Sequence, residues 1–263
     1  MRRMLLVAFL LLTVLVCVTS PAWTDGLDDL DAGSIAFNER DYDKAISLFT
    51  KAIMSGELTR EDLRFAYEGR GQAWAEKGDN DRAIADYTKA IVIDPKDAGA
   101  YYSRGNAWYN KSDYDKAIAD YTKTIEINPK VVEVYILRGA SWDAKGDYDK
   151  AIADFTKAIE INPKAVEAYN GLAWLLATCR NDRYRDGKRA IALAEKAVKL
   201  EETANRLDTL AAAYAEAGRF QEAVKTEERA ITRIKQSEGW VETLPEYEKH
   251  LSSYKAGKPW REK

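Results

Sequence analysis

Three arginines at a fixed interval are the residues of this chain best placed for chemistry. They lie 34 residues apart, and each is followed sixteen positions later by an aspartate. The pairs are Arg70 with Asp86, Arg104 with Asp120, and Arg138 with Asp154. A row of guanidinium groups would suit a phosphate or carboxylate ligand, because arginine presents a fork of donors that matches both anions. The matching aspartates favour a ladder of structural ion pairs, which we expect in preference to a ligand-binding row.

The chain offers few residues for catalysis. His250 is its one histidine and lies in a charged terminal segment, which predicts a solvated surface side chain. Cys179 has no evident partner for activation and is expected to be a small buried residue at a helix end. No phosphate-binding loop, nucleophile elbow or metal-ligand spacing is evident. We therefore predict no catalytic residue, no metal and no cofactor.

A basic segment begins at Cys179 and ends at Gly187. Its arginines, Arg180, Arg183 and Arg185, outnumber its two aspartates. We expect an exposed, longer loop whose aspartates cap helices. The alternative is a functional edge, since long loops in repeat arrays often carry binding residues.

The elements that position these residues follow from the same period of 34. Residues 98–131 form one unit, in which Tyr101, Gly105 and Trp108 are spaced by four and three, one face of a helix. Asp113 is placed to cap a second helix, and Pro129 ends the unit because proline cannot continue a helix. The unit is therefore a helix-turn-helix, and its pattern recurs at 64–97 and 132–165.

These units resemble tetratricopeptide repeats, whose signature places an aromatic, a glycine, a tyrosine, an alanine, a second aromatic and a proline at such intervals. The chain departs from that signature where the three arginines replace the leucine before the glycine. The resemblance implies an all-α, right-handed superhelical solenoid of antiparallel helix pairs with a C-terminal capping helix. We expect repeats at about 26–59, 64–97, 98–131, 132–165, 166–203 and 204–237, a capping helix at about 244–255, and a flexible tail at 256–263.

The N-terminus predicts export. Arg2 and Arg3 precede an apolar run from Met4 to Val18 and a small-residue end, the pattern of a secretory signal over residues 1–22. The run is short for a membrane span, which needs about 20 residues. We expect cleavage after Ala22 and a periplasmic or secreted protein, with an uncleaved inner-membrane anchor as the alternative. The last third of the chain resembles the ending of bacterial proteins of this repeat family, which favours a bacterial origin.

The resemblance also places a binding groove on the first helices of the repeats. The family's groove positions carry over to Glu68, Gln72, Tyr102, Asn106, Tyr109, Asn110, Glu133, Glu167, Asn170 and Trp174. Aromatic and amide side chains flanked by acids suit an extended peptide with some positive charge. The net charge of −3 argues against a nucleic-acid partner.

We therefore expect a non-catalytic interaction scaffold of the bacterial envelope that binds a protein or peptide partner, with no membrane span in the mature chain. The alternative is a receptor for a small ligand or polymer held by the groove aromatics. The oligomeric state and the identity of the partner do not follow from the residues.

Overall fold

The computed structural model describes residues 26–236 and 240–261. Within them the chain forms thirteen α-helices and one short 3-10 helix, and it forms no strand. The predicted signal sequence at 1–22 lies outside the described residues. None of the described helices combines the length and the apolar character needed to cross a membrane.

Twelve of the helices form six consecutive pairs. The pairs are α1 (Gly26–Asn38) with α2 (Tyr42–Ser55), α3 (Arg60–Glu76) with α4 (Asn80–Ile93), α5 (Ala98–Asn110) with α6 (Tyr114–Ile127), α7 (Val132–Ala144) with α8 (Tyr148–Ile161), α9 (Val166–Thr178) with α10 (Gly187–Leu200), and α11 (Ala204–Glu216) with α12 (Phe220–Ile234). We number them repeats 1 to 6. Helix α13 (Trp240–Lys255) follows the last pair and packs mainly on α12. The all-α repeat architecture expected from the sequence is confirmed.

Aspartate occupies the N-cap position of the second helix in repeats 1 to 5. The side chain of Asp79 accepts a hydrogen bond from the backbone nitrogen of Arg82 at 3.0 Å, and Asp113 accepts from that of Lys116 at 3.3 Å. Each satisfies one of the backbone donors that a helix start leaves open. The residue before the cap adopts a left-handed backbone, with φ of 78° at Gly78 and 59° at Ser112. The predicted cap at Asp113 is confirmed.

Glycine lets the two helices of a repeat approach closely. A Cβ added at Gly71 would lie 2.9 Å from the ring of Tyr87, and one at Gly105 would lie 2.8 Å from the ring of Tyr121. Ala83 and Ala117 are fully buried on the opposing helices. The small residues therefore set the spacing within each pair, and the aromatic rings fill the space that they leave.

The end of the chain differs from the expected flexible tail. The ring of Trp260 lies 4.4 Å from that of His250, centroid to centroid, and joins the apolar core of repeats 4 to 6. Arg261 donates to the carbonyl oxygen of Ala177 at 3.3 Å and forms an ion pair with Glu216. The described part of this segment therefore docks on the array, because Trp260 buries apolar surface there.

Candidate functional site

Each of the three arginines binds an aspartate of its own repeat and a threonine of the preceding repeat. Arg104 binds Asp120 through Nε and Nη2 at 2.8 and 2.7 Å, and its Nη1 donates to Thr88 of the preceding repeat at 3.0 Å. Arg70 and Arg138 make the same three bonds at distances of 2.7–3.1 Å. The aspartates are buried. The structural ion-pair ladder is confirmed, and these guanidinium groups are committed to their partners within the fold.

The first helices of repeats 1 and 2 enclose a cleft of about 520 Å³. Helix α1 contributes Asp31, Ser34 and Phe37, and α3 contributes Phe65 and Glu68, among others. Phe65 is 46% exposed, which is unusual for a large apolar side chain. The cleft therefore combines exposed aromatic surface with carboxylates.

A second cleft of about 430 Å³ lies between the first helices of repeats 2 and 3. It is lined by Tyr102, Asn106 and Asn110 of α5, and it shares Phe37 and Gln72 with the first cleft. The shared residues place the two clefts next to each other. We call the side chains that line them the N-terminal groove.

The ionisable side chains that line the groove are acidic. They are Asp31, Asp62, Glu68 and Glu76, and no described lysine or arginine lines either cleft, although Arg64 borders the lining, where it pairs with Glu68 and stacks on Phe65. The four carboxylates favour a positively charged ligand, because close walls of one sign focus the electrostatic field between them.

Among these acids, Glu68 has an unusual pKa. Burial, and next a hydrogen bond with Asp97, raise its pKa to about 7 against the opposing effect of Arg64. Arg64 donates to Glu68 at 2.6 Å and also pairs with Asp97. Glu68 therefore changes its charge close to neutral pH, inside the groove.

The ten groove residues expected from the sequence divide into three groups. Five of them line the N-terminal groove: Glu68, Gln72, Tyr102, Asn106 and Asn110. Glu133 is exposed beside it and hydrogen-bonds Tyr102. The other four make contacts within the chain, described next.

Tyr109 packs edge-on against Tyr114 at 5.5 Å between ring centroids. Glu167 pairs with Arg206 at 3.0 Å, and the Asn170 side chain donates to Asn205 at 3.0 Å. The ring of Trp174 lies 5.9 Å from that of His250, between their centroids. These four side chains are therefore engaged within the chain, although that of Glu167 remains 64% exposed.

The repeat pattern did not predict two residues of the groove, Phe37 and Phe65. Both lie on first helices, in the same row of the array as expected groove residues. Repeat 1 lacks a closing proline, so the repeat pattern alone gives it little weight. Both could have been predicted from the sequence, because each is an apolar residue at a helix position that is expected to face outward.

His250 corrects the expectation of a solvated surface histidine. It is 1% exposed, and its Nδ1 lies 2.7 Å from Oδ1 of Asp208 on α11. Glu227 of α12 approaches the same two residues. The sequence could not show this, because the three residues come from different helices. Cys179, by contrast, is buried at the end of α9, as predicted.

The basic insertion is only partly exposed. Arg180 and Arg183 are exposed, and Asp186 caps α10, as expected. Arg185 instead folds back onto the array, where it donates to the carbonyl oxygens of Cys179 and Arg180 at 3.0 Å and pairs with Glu216 at 3.1 Å. The insertion is therefore tied to the end of α11.

The geometry defines a class of protein: an array of helix pairs with a groove along its first helices. Family models for tetratricopeptide repeats match residues 71–112, 98–131, 132–165 and 203–243. Together these matches cover just over half of the chain. The chain belongs to the tetratricopeptide repeat family.

Solved structures of this family resemble the chain. The crystal structure of MamA aligns with a TM-score of 0.57 at 26% identity, over 65% of this chain and 94% of that one. A tetratricopeptide repeat protein from Parabacteroides merdae ATCC 43184 gives 0.62 at 21% identity, over 88% and 84%. YrrB, described as a repeat protein of this kind with an unusual peptide-binding site, gives 0.55 at 21% identity, over 76% and 97%. No curated protein sequence matches the chain.

Proposed function

We propose that this protein is a non-catalytic interaction scaffold that binds an extended, positively charged segment of a partner protein in the N-terminal groove. The observation that carries the proposal is the adjacency of two clefts whose described lining holds four acids and no basic side chain. Proteins of this repeat family typically act as interaction scaffolds, and the groove lies on the helices that such proteins use.

The groove offers complementary contacts for a peptide. Phe37 and Tyr102 supply aromatic surface for apolar or cationic side chains, whereas the Phe65 ring already stacks with the Arg64 guanidinium at 4.1 Å. Gln72 and Asn110 are exposed amides that can both donate to and accept from a peptide backbone. Asn106 accepts from the Tyr121 hydroxyl at 2.8 Å, which orients its amide nitrogen as a donor. An extended segment with alternating basic and apolar residues fits this lining.

Replacing Gln72 with arginine tests the proposal directly. Gln72 stands where the two clefts meet and is exposed, so Gln72→Arg should preserve the fold while adding bulk and positive charge to the groove. We expect binding of a lysine- and phenylalanine-containing peptide to weaken at least about tenfold, since like charges across an interface cost several kcal/mol. Fluorescence anisotropy with a labelled peptide library measures the change.

The matched control is Gln221→Arg, the same chemical change at an exposed position of α12. It should leave peptide affinity unchanged. Equal affinity for wild type and Gln72→Arg would rule out this groove. A small ligand that raises the melting temperature, with no peptide bound at all, would favour the receptor alternative.

Binding should also depend on pH near neutrality. A group with a pKa of about 7 is mostly protonated at pH 6 and mostly ionised at pH 8. Affinity for the cationic peptide should therefore rise over this interval as Glu68 gains its charge. Anisotropy at constant ionic strength measures the profile, and Glu68→Gln should flatten it. Glu126→Gln, an exposed change on α6, should keep the wild-type profile.

We propose further that the scaffold acts outside the bacterial cytoplasm, either periplasmic or secreted. The support is the charged, apolar and small-residue pattern of residues 1–22. Mass spectrometry of the N-terminus of the protein from envelope and culture fractions tests this. A first residue of Trp23 supports export with cleavage, and retention of Met1 in the membrane fraction supports the anchored alternative.

A further inference from the structure

Three buried titratable side chains meet where the last repeat and the terminal helix pack together. Asp208 of α11, Glu227 of α12 and His250 of α13 are 5%, 0% and 1% exposed. One potential ligand atom from each lies within 4.8 Å of those of the other two. We call these residues the terminal triad. Each comes from a different helix, so the triad joins all three.

Hydrogen bonding within the protein leaves much of the triad unsatisfied. Among the described residues, no hydrogen-bond partner is found for either carboxylate oxygen of Glu227, for Nε2 of His250 or for the hydroxyl of Tyr254, all of which are buried. Asp208 has its 2.7 Å contact with His250 Nδ1. Unpaired buried polar atoms are costly, and a buried carboxylate without a partner is more so. An ionised Glu227 therefore has no hydrogen-bond donor among the described groups, whereas a protonated Glu227 can donate to Asp208.

The charge of the triad also favours a bound cation. Asp208 and Glu227 carry two negative charges when ionised, and a protonated His250 offsets at most one. No lysine or arginine ion pair of the described residues involves either carboxylate. A dication would neutralise both. Such an ion competes with a proton, because burial and the charge of Asp208 hold the pKa of Glu227 well above its usual range.

We propose that the terminal triad binds one divalent transition-metal ion of the zinc type, which ties α13 to the last repeat. One imidazole and two carboxylates are the nitrogen and oxygen ligands that zinc accepts, whereas magnesium and calcium prefer oxygen alone. Zinc ligands stand about 2.0–2.2 Å from the ion, so ligands that share an ion lie within about 4 Å of one another. The triad needs only small side-chain movements to meet that limit.

The surroundings of the triad suit a structural ion. The rings of Trp260 and Trp174 lie 4.4 and 5.9 Å from that of His250, between centroids, so apolar surface shields the site from bulk water.

Zinc titration of the full chain tests the proposal. The protein is purified without a histidine tag, stripped with a chelator and titrated with zinc chloride by calorimetry. We expect one zinc per chain and a higher melting temperature, with no comparable effect of magnesium at the same concentration. Because His250 is the only histidine of the chain, its ring nitrogen signals in NMR report this site alone and should shift on binding.

Two variants and a control make the test decisive. Glu227→Gln and His250→Gln should each lower zinc affinity more than about tenfold. Glu248→Gln, an exposed change on α13 two residues from His250, should not. If either triad variant fails to fold, the wild-type NMR titration still decides. Absence of stoichiometric binding, an unmoved His250 signal, or full affinity in Glu227→Gln would each overturn the metal site, leaving a neutral Glu227 that donates to Asp208.

Discussion

Arg104→Ala should lower the free energy of unfolding by about 3–5 kcal/mol, because it leaves the buried Asp120 carboxylate without its bidentate partner. The substitution also removes the bond from Arg104 to Thr88 of the preceding repeat. Urea denaturation followed by circular dichroism measures the loss. This effect requires no ligand, which separates a structural ladder from a ligand-binding arginine row.

Two further variants sharpen this result. Arg82→Ala removes an arginine that is 62% exposed and pairs with Asp79 at 3.4 Å, so it should cost about 1 kcal/mol or less. Replacing both partners, as Arg104→Met with Asp120→Leu, should recover much of the loss because no buried charge remains unpaired. A loss below about 1 kcal/mol for Arg104→Ala would contradict the energetic role of the ladder.

Of all single glycine-to-alanine substitutions in the array, Gly187→Ala should destabilise the fold most. A Cβ at this position would lie 2.7 Å from the backbone nitrogen of Ala217 and 3.0 Å from its Cα. No rotamer relieves the collision, because backbone rather than a movable side chain stands in the way. The start of α10 must shift from the end of α11, so we expect a loss of about 3 kcal/mol, at the upper end of overpacking.

Gly99→Ala is the matched control for that experiment. Its added Cβ would meet first a side-chain oxygen of Asp97, at 3.1 Å, early in α5. Alanine also has the higher helix propensity by about 1 kcal/mol, so stability should stay near that of the wild type. Differential scanning calorimetry compares the two variants. Equal melting temperatures would show that α10 can move away from α11 without cost.

The sequence predicted those features that depend on positions within one repeat. Asp113 caps its own helix, and Arg104 reaches Asp120 within the same helix pair, so a period and a helical register suffice. His250 shows where that reasoning fails. Its burial depends on Asp208, 42 residues away, and on a terminal helix that no repeat pattern positions. The docked Trp260 was missed for the same reason.

The sequence predicted where the groove lies on the first helices. It predicted less well how far the groove extends along the array. Glu68, Gln72 and Tyr102 lie in it because the family's groove positions follow the helical register. Asn170 and Trp174 hold the equivalent positions in repeat 5, where Asn170 donates to Asn205 and the ring of Trp174 lies beside that of His250. These contacts depend on the end of the array, where the pattern stops repeating.

The ladder of arginines ends with Arg138 in repeat 4. The equivalent position in repeat 5 is Leu172, which is buried. Repeats 4 to 6 share one large apolar cluster, whereas repeats 1 to 3 are joined through smaller clusters and the polar arginine bridges. In a solenoid, where each repeat contacts its neighbours, the interfaces set the local stiffness. We therefore expect repeats 4 to 6 to be stiff. Repeats 1 to 3 should be more flexible and able to adjust their curvature to the bound segment.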